Sequence, residues 1–397
     1  MKKKFYKILC VLTAAVFCMT APAVVQAAQN EKQTEATQEE EIEDREIAQE
    51  LAGMKYDHSL ELQYADQFAV DYYEGGYALI TIAGGERFLL VPEDKEAPEG
   101  LDADISVIQK PVQNIYLVAT SAMDLFCALD GLDSISLSGT NADGWYIDKA
   151  KKAMEDGDIV FAGKYSAPDY ELILSKNCDL AIESTMIYHQ PEVQEKLEKF
   201  GIPVLVEHSS YESHPLGRTE WIKVYAEMVD KREEAQKFFD EQAKIITQLK
   251  DFKNTEKTVA FFYMSSDGSV VVRKPDDYVP KMIEIAGGRY VPTKVSSDEE
   301  LKRSSIPMTM EEFYTQAIDA DYLVYNGTID DPINSVDELL QKSELFADFK
   351  AVKEGNVWCA GKYLYQATDI VGNMITDLHL MLTGGDESQM TFMTKID

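Results

Sequence analysis

Short apolar runs separated by polar, glycine-rich punctuation mark the early part of the chain. Phe68 to Asp71, Tyr77 to Ala83 and Arg87 to Val91 are rich in β-branched and aromatic residues, with Gly75-Gly76 and Gly84-Gly85 between them. This pattern predicts a small antiparallel meander. Beyond it the pattern becomes an alternation. Ile115 to Thr120 reads as an apolar strand, Ser121 to Asp130 as a helix stopped by Gly131, and Ser134 to Leu137 as a second strand. Ile159 to Phe161, a helix from near Pro168, strand Leu180 to Ile182, helix Pro191 to Phe200 stopped by Gly201, and strand Pro203 to Val206 continue the series. Strands this short, each followed by an amphipathic helix, predict a parallel sheet covered on both faces.

No glycine or proline occurs between Arg218 and Asp267, and Trp221, Val224, Tyr225, Met228, Ala235, Phe238, Phe239, Ile245, Ile246, Leu249 and Phe252 recur at helical spacing. The spacing predicts one connecting helix over residues 217–253, about 50 Å long for roughly 33 helical residues. The alternation then restarts. It gives strand Val259 to Tyr263, a hairpin around Asp267-Gly268, helix Val279 to Ala286, helix Met310 to Ala317, strands Tyr322 to Tyr325 and Val357 to Cys359, and helix Gln366 to Leu382. The expected architecture is α/β, with two lobes built on parallel-type sheets, one long connecting helix, and a small meander on the first lobe. The lobes are residues 57–216 and 254–397, and the default ligand site is the cleft between them, beyond the carboxyl ends of the strands.

Composition changes this picture at the N-terminus. Lys2, Lys3, Lys4 and Lys7 precede an apolar stretch from Ile8 to Val25 and the small-residue segment ending at Ala27-Ala28. Residues 1–27 therefore read as a secretory signal cleaved after Ala27. Cys18 offers a lipid-attachment alternative, against which stands Phe17 where that processing favours a small residue. Residues 28–56 are strongly acidic, with little to bury, and read as a disordered stalk. The formal charge is −32, or −36 without the four leader lysines, which excludes nucleic acid as a partner. Five cysteines without a C-x-x-C pair provide neither a disulfide framework nor a zinc ribbon. The expected location is extracytoplasmic: periplasmic, or associated with membrane or cell wall.

Several segments carry a family resemblance in their order along the chain. These are Gly163, Pro168-Asp169-Tyr170-Glu171-Leu172-Ile173, Cys178-Asp179-Leu180, Gly201-Ile202-Pro203-Val204, Ala286-Gly287-Gly288, Met310-Glu311-Glu312-Phe313, Asp319-Ala320-Asp321-Tyr322-Leu323 and Gly355-Asn356-Val357-Trp358. In this order they resemble the iron-chelate, haem and cobalamin class of ABC importer substrate-binding proteins. The resemblance implies capture of a ferric siderophore, haem or corrinoid, delivery to an ABC permease with its ATPase, no resident cofactor and no catalysis. It also implies that Glu171 and Glu311 dock the two lobes on the permease, with Glu312 competing for the second role.

Loops after the strands supply the ligand candidates. These are Ser121, Lys164, Tyr165, Glu183, Thr185, Met186, Glu212 and His214 on the first lobe, and Met264, Arg273, Lys274, Tyr325, Tyr363 and Tyr365 on the second. Aromatic rings and a few cations suit a bulky anionic chelate. His189, His208 and His214 are weaker candidates for direct divalent-metal capture, the main alternative function. A secreted enzyme on the same fold is the other alternative. Against it, the segment from Gly157 to Lys164 has five residues between its glycines and Tyr165 where a phosphate loop needs Ser or Thr.

Overall fold

The computed structural model describes residue 42 and residues 45–249, 252–295 and 304–397. The expected leader and most of the expected stalk lie outside the described residues.

The predicted meander is the centre of a larger sheet. Strands β1 (Glu50–Leu51), β2 (Met54–Ser59), β3 (Phe68–Tyr73), β4 (Tyr77–Ile82), β5 (Arg87–Val91) and β6 (Ile105–Gln109) lie side by side in chain order. All neighbours are antiparallel except β5 and β6. The last residues of the expected stalk are thus strand, and Arg45 is held by Asp71 at 2.7 Å. Alternation explains the two-faced burial: Phe68, Val70, Ile80, Phe88 and Leu90 join the main core, whereas Tyr73, Leu79, Leu89 and Val91 join a smaller cluster on the other face.

The first lobe is a wholly parallel sheet in the order β13 (Val204–Glu207), β12 (Ala181–Ser184), β7 (Ile115–Leu117), β8 (Ile135–Ser138), β9 (Val160–Phe161). Helices α1 (Thr120–Ala128), α2 (Asp148–Asp156), α3 (Tyr170–Ser175) and α4 (Pro191–Lys199) accompany it, and a ribbon of β10 (Gly163–Lys164) and β11 (Ala167–Pro168) leads into α3. The second lobe is mixed. Strand β14 (Thr258–Met264) pairs in parallel with β16 (Arg289–Val291) and β18 (Tyr322–Asn326), and β18 with β19 (Val357–Ala360). The hairpin expected at Gly268 forms between β14 and β15 (Val270–Arg273), with Gly268 at φ +85°. Strands β17 (Ser305–Met308) and β20 (Met393–Lys395) close the edges antiparallel. Helices α8 (Tyr278–Ile285), α9 (Met310–Ala317), α10 (Val336–Lys342), α11 (Lys350–Lys353) and α12 (Val371–Thr383) complete the lobe.

The single long connector is not found. Three helices replace it: α5 (Pro215–Glu220), α6 (Ile222–Val229) and α7 (Arg232–Thr247). Asp230 ends α6 in the left-handed region, at φ 55° and ψ 41°. Aspartate enters that region more readily than most residues, so a helix stops here without glycine or proline. α7, at 16 residues, is only about 24 Å long.

The connector also carries the β2–β3 loop. Five consecutive backbone amides, Gln63 to Gln67, donate to two buried carboxylates. Glu220 takes Gln63, Tyr64 and Ala65 at 2.8–3.1 Å, and Glu212 takes Asp66 and Gln67 at 2.9 and 3.2 Å. Glu220 also pairs with Lys223 at 2.7 Å, and Glu212 accepts from Trp221 Nε1 at 2.8 Å.

Candidate functional site

Segments that follow β13 on the first lobe and β15 and β19 on the second meet. On the first lobe β13 ends in Glu207, whose carboxylate accepts from Ser121 Oγ at 2.9 Å and from the Ser209 amide at 3.1 Å. Burial raises its pKa. The chain turns, His214 caps α5 by accepting the Leu216 amide on Nδ1 at 3.1 Å, and Arg218 follows one turn later. On the second lobe, Asp277 caps α8 by accepting the Val279 amide at 3.0 Å, which puts Tyr278 at the first helical position. Asp277 also receives a forked pair from Arg273, Nε at 2.8 Å and Nη2 at 2.6 Å.

Two guanidiniums and one ring from these elements meet across the junction. The Arg218 guanidinium stands 4.2 Å from the Tyr278 ring centre and the Arg273 guanidinium 5.0 Å from it. Such cation–ring contacts are strongest where water is excluded, and Tyr278 is fully buried. Burial pushes its hydroxyl up to about 12. Arg273 reaches Ser305 Oγ at 3.1 Å and Tyr365 Oη at 3.4 Å, and Tyr365 Oη accepts from Asn326 at 2.9 Å.

A second cross-lobe contact comes from residues 366–369. Gln366 donates to Gly144 O and accepts from the Tyr146 amide, both at 2.8 Å. Thr219 Oγ1 donates to Thr368 O at 3.0 Å, and the Asp369 amide faces Asp124 at 3.5 Å. Burial and the neighbouring Asp369 carboxyl raise the Asp124 carboxyl to about 9. This segment was expected to open the last helix; α12 begins only at Val371.

The sequence-predicted residues therefore divide. Ser121, Arg273 and Tyr365 are brought together at the junction. Lys164, Tyr165, Thr185 and Met186 lie at or just after first-lobe strand ends, with Lys164 and Met186 exposed. Exposed apolar side chains accompany them: Phe161 ends β9, Tyr188 follows β12, and Ile329 follows β18 on the other lobe. Lys274 donates its amide to Ser304 O. Tyr363 stacks on Phe392 at 5.5 Å.

Four expected contacts have structural duties instead, and a fifth, Glu183, is buried without a hydrogen-bond partner. Glu212 is consumed by backbone amides, as described. His214 is a helix cap stacked on Tyr64 at 4.4 Å, and burial lowers its pKa to about 4. Met264 and Tyr325 belong to the second-lobe core, where the Tyr325 hydroxyl donates to Asp330 at 2.5 Å. Glu183 is 0% exposed with neither oxygen hydrogen-bonded, and burial raises it to about 8. The expected metal candidates do not assemble either. His189 is exposed, His208 Nε2 pairs with Tyr188 Oη at 2.7 Å, and among the described residues no group of three or more His, Cys, Asp and Glu has metal-binding geometry. Cys127, Cys178 and Cys359 are free thiols.

Glu207, Arg218, Asp277 and Tyr278 escaped the sequence reading. Asp277 before the apolar run from Val279 is a visible helix-start signal. Arg218 was hidden inside the stretch read as one rod.

Glu171 and Glu311 occupy matching places, each the second residue of its helix, α3 and α9. Both are exposed. Glu312 accepts the Thr309 amide at 2.8 Å in a reciprocal capping box, which leaves Glu311 outside it.

Residues 119–364 match the sequence profile of the periplasmic binding protein family. The chain belongs to this family. The binding protein is 25% identical to an uncharacterized lipoprotein of Methanocaldococcus jannaschii, across 93% of this chain and 92% of the relative. Its fold is similar to a periplasmic haem binding protein from Pseudomonas aeruginosa, at TM-score 0.55 and 15% identity, covering 72% of this chain and 98% of that one. It is also similar to the periplasmic vitamin B12 binding protein of Vibrio cholerae, at TM-score 0.50 and 14% identity, covering 69% and 97%. The matched profile starts after the six-stranded sheet, which the binding protein carries ahead of the family region. Among the described residues, no helix is long and apolar enough to cross a membrane.

Proposed function

We propose that this is an exported substrate-binding protein of an ABC importer, which captures a metal chelate at the lobe junction and delivers it to a permease. The chelate is a ferric siderophore, haem or a corrinoid. The observation that carries this reading is the meeting of segments from both lobes around two arginines and a tyrosine. Exposed apolar side chains, Phe161, Met186 and Tyr188 on one lobe and Ile329 on the other, stand at or after the carboxyl ends of β9, β12 and β18. A flat or bulky chelate needs this combination of apolar surface and fixed positive charge. The haem and vitamin B12 specificities named for the similar structures fit the same ligand class. Glu171 and Glu311, one exposed carboxylate per lobe with no partner among the described residues, suit registration on a cationic permease surface.

Isothermal titration of the mature protein with haem, cobalamin and ferric siderophores tests the reading. One-to-one binding of one class is expected; silence across all three, and with divalent metals, overturns it.

A further inference from the structure

Arg218 has an unmet requirement at the junction. The residue is 5% exposed, and its Nε is sealed from solvent with no acceptor. A guanidinium offers five N–H donors and no acceptor, and this one donates to no described residue. Glu207 is within electrostatic reach, but its oxygens are engaged by Ser121 and Ser209. Arg273, which also lies over the Tyr278 ring, differs in having Asp277 and Ser305 as partners. The Tyr278 hydroxyl likewise makes no hydrogen bond among the described residues. Leaving a buried cation's donors unpaired is costly. The ring meanwhile holds the guanidinium plane in place, so its fork is already oriented.

We infer that Arg218 is an anion anchor that takes a carboxylate of the incoming ligand in a forked pair, assisted by the Tyr278 hydroxyl. The inference rests on the capture reading above and narrows it to chelates bearing carboxylates. A planar carboxylate matches two parallel guanidinium donors, and a lysine at the same place would supply charge without the fork.

Thermal melting of the mature protein in sodium citrate, sodium phosphate and sodium chloride at matched ionic strength tests it. Citrate is expected to raise the melting temperature of the wild type by roughly 2–4 °C beyond chloride, with phosphate giving less. Arg218→Met should remove the excess while retaining the wild-type circular dichroism, and Arg218→Lys should keep less than half of it. No citrate excess in the wild type, an equal excess in Arg218→Met, or a larger response to phosphate than to citrate overturns the inference. If Arg218→Met does not fold, an undiminished citrate shift in Arg218→Lys overturns it. The outcomes separate from those of the chelate titrations. Chelate binding without a citrate response sinks the anchor alone, and a citrate response without chelate binding sinks the capture reading alone.

Discussion

Glu220 on the connector and Glu183 at the end of β12 are both 0% exposed, and they are served in opposite ways. Glu220 receives three backbone amides and the Lys223 ammonium. Glu183 receives nothing. The comparison shows that burial alone does not say what an acid is for. Surrounded by donors, a carboxylate becomes a joint that fixes its neighbours. Deprived of them, it keeps its proton, and the protein carries a cost that depends on pH.

The largest effect should follow from breaking the served site. Glu220→Ala strands three amides and removes the carboxylate partner of the buried Lys223, and should lower the unfolding free energy by roughly 3–5 kcal/mol. Urea denaturation measures it; a loss below about 1 kcal/mol would show that the loop is held by other means.

The unserved site should respond in the other direction. Glu183 is raised from 4.5 to about 8, so between those values the folded state keeps a proton that the unfolded chain has released. Stability should therefore fall as pH rises from about 4.5 to about 8. Glu183→Gln removes that dependence and should stabilise the protein by about 3 kcal/mol at neutral pH, with the gain vanishing near the lower bound. Parallel melting profiles for variant and wild type across this range would refute the assignment.

The smallest effect on stability is expected on the surface, where Glu311 and Glu312 repeat the contrast in solvent. Replacing Glu171 and Glu311 together with alanine should leave the denaturation midpoint and ligand affinity unchanged while uptake through the importer falls. Unchanged uptake would remove the docking role.

The lobes were legible in the sequence because glycine and proline mark their boundaries. Gly131, Gly201 and Gly268 stand at or near turns of the structure, and the strands around Val204, Tyr322 and Val357 fall within a residue of their predicted places, while the strand at Ile115 starts where expected but stops three residues early, at Leu117. The connector was misread because Asp230 ends a helix with none of those marks. Strands β2 and β6 were missed because their solvent faces are charged or polar, as in Lys55, Asp57 and Ser106. The site was only partly legible. Ser121, Arg273 and Tyr365 follow from the rule that ligands sit beyond strand ends. Whether Glu212 or Tyr325 faces a ligand or a backbone amide depends on partners distant in sequence, such as Gln67 and Met264.

The bend at Asp230 has a mechanical meaning. An interrupted helix between two lobes would act as an elbow if it stood free, but the six-stranded sheet splints it from both sides. Tyr72 of β3 donates to Glu227 at 2.5 Å, Arg232 closes on the same carboxylate at 2.7 Å while lying over the Tyr72 ring, and Lys110 beyond β6 grips Asp230 itself. Flexing at this point must tear those attachments from the sheet, so the extra N-terminal layer stiffens the joint between the lobes.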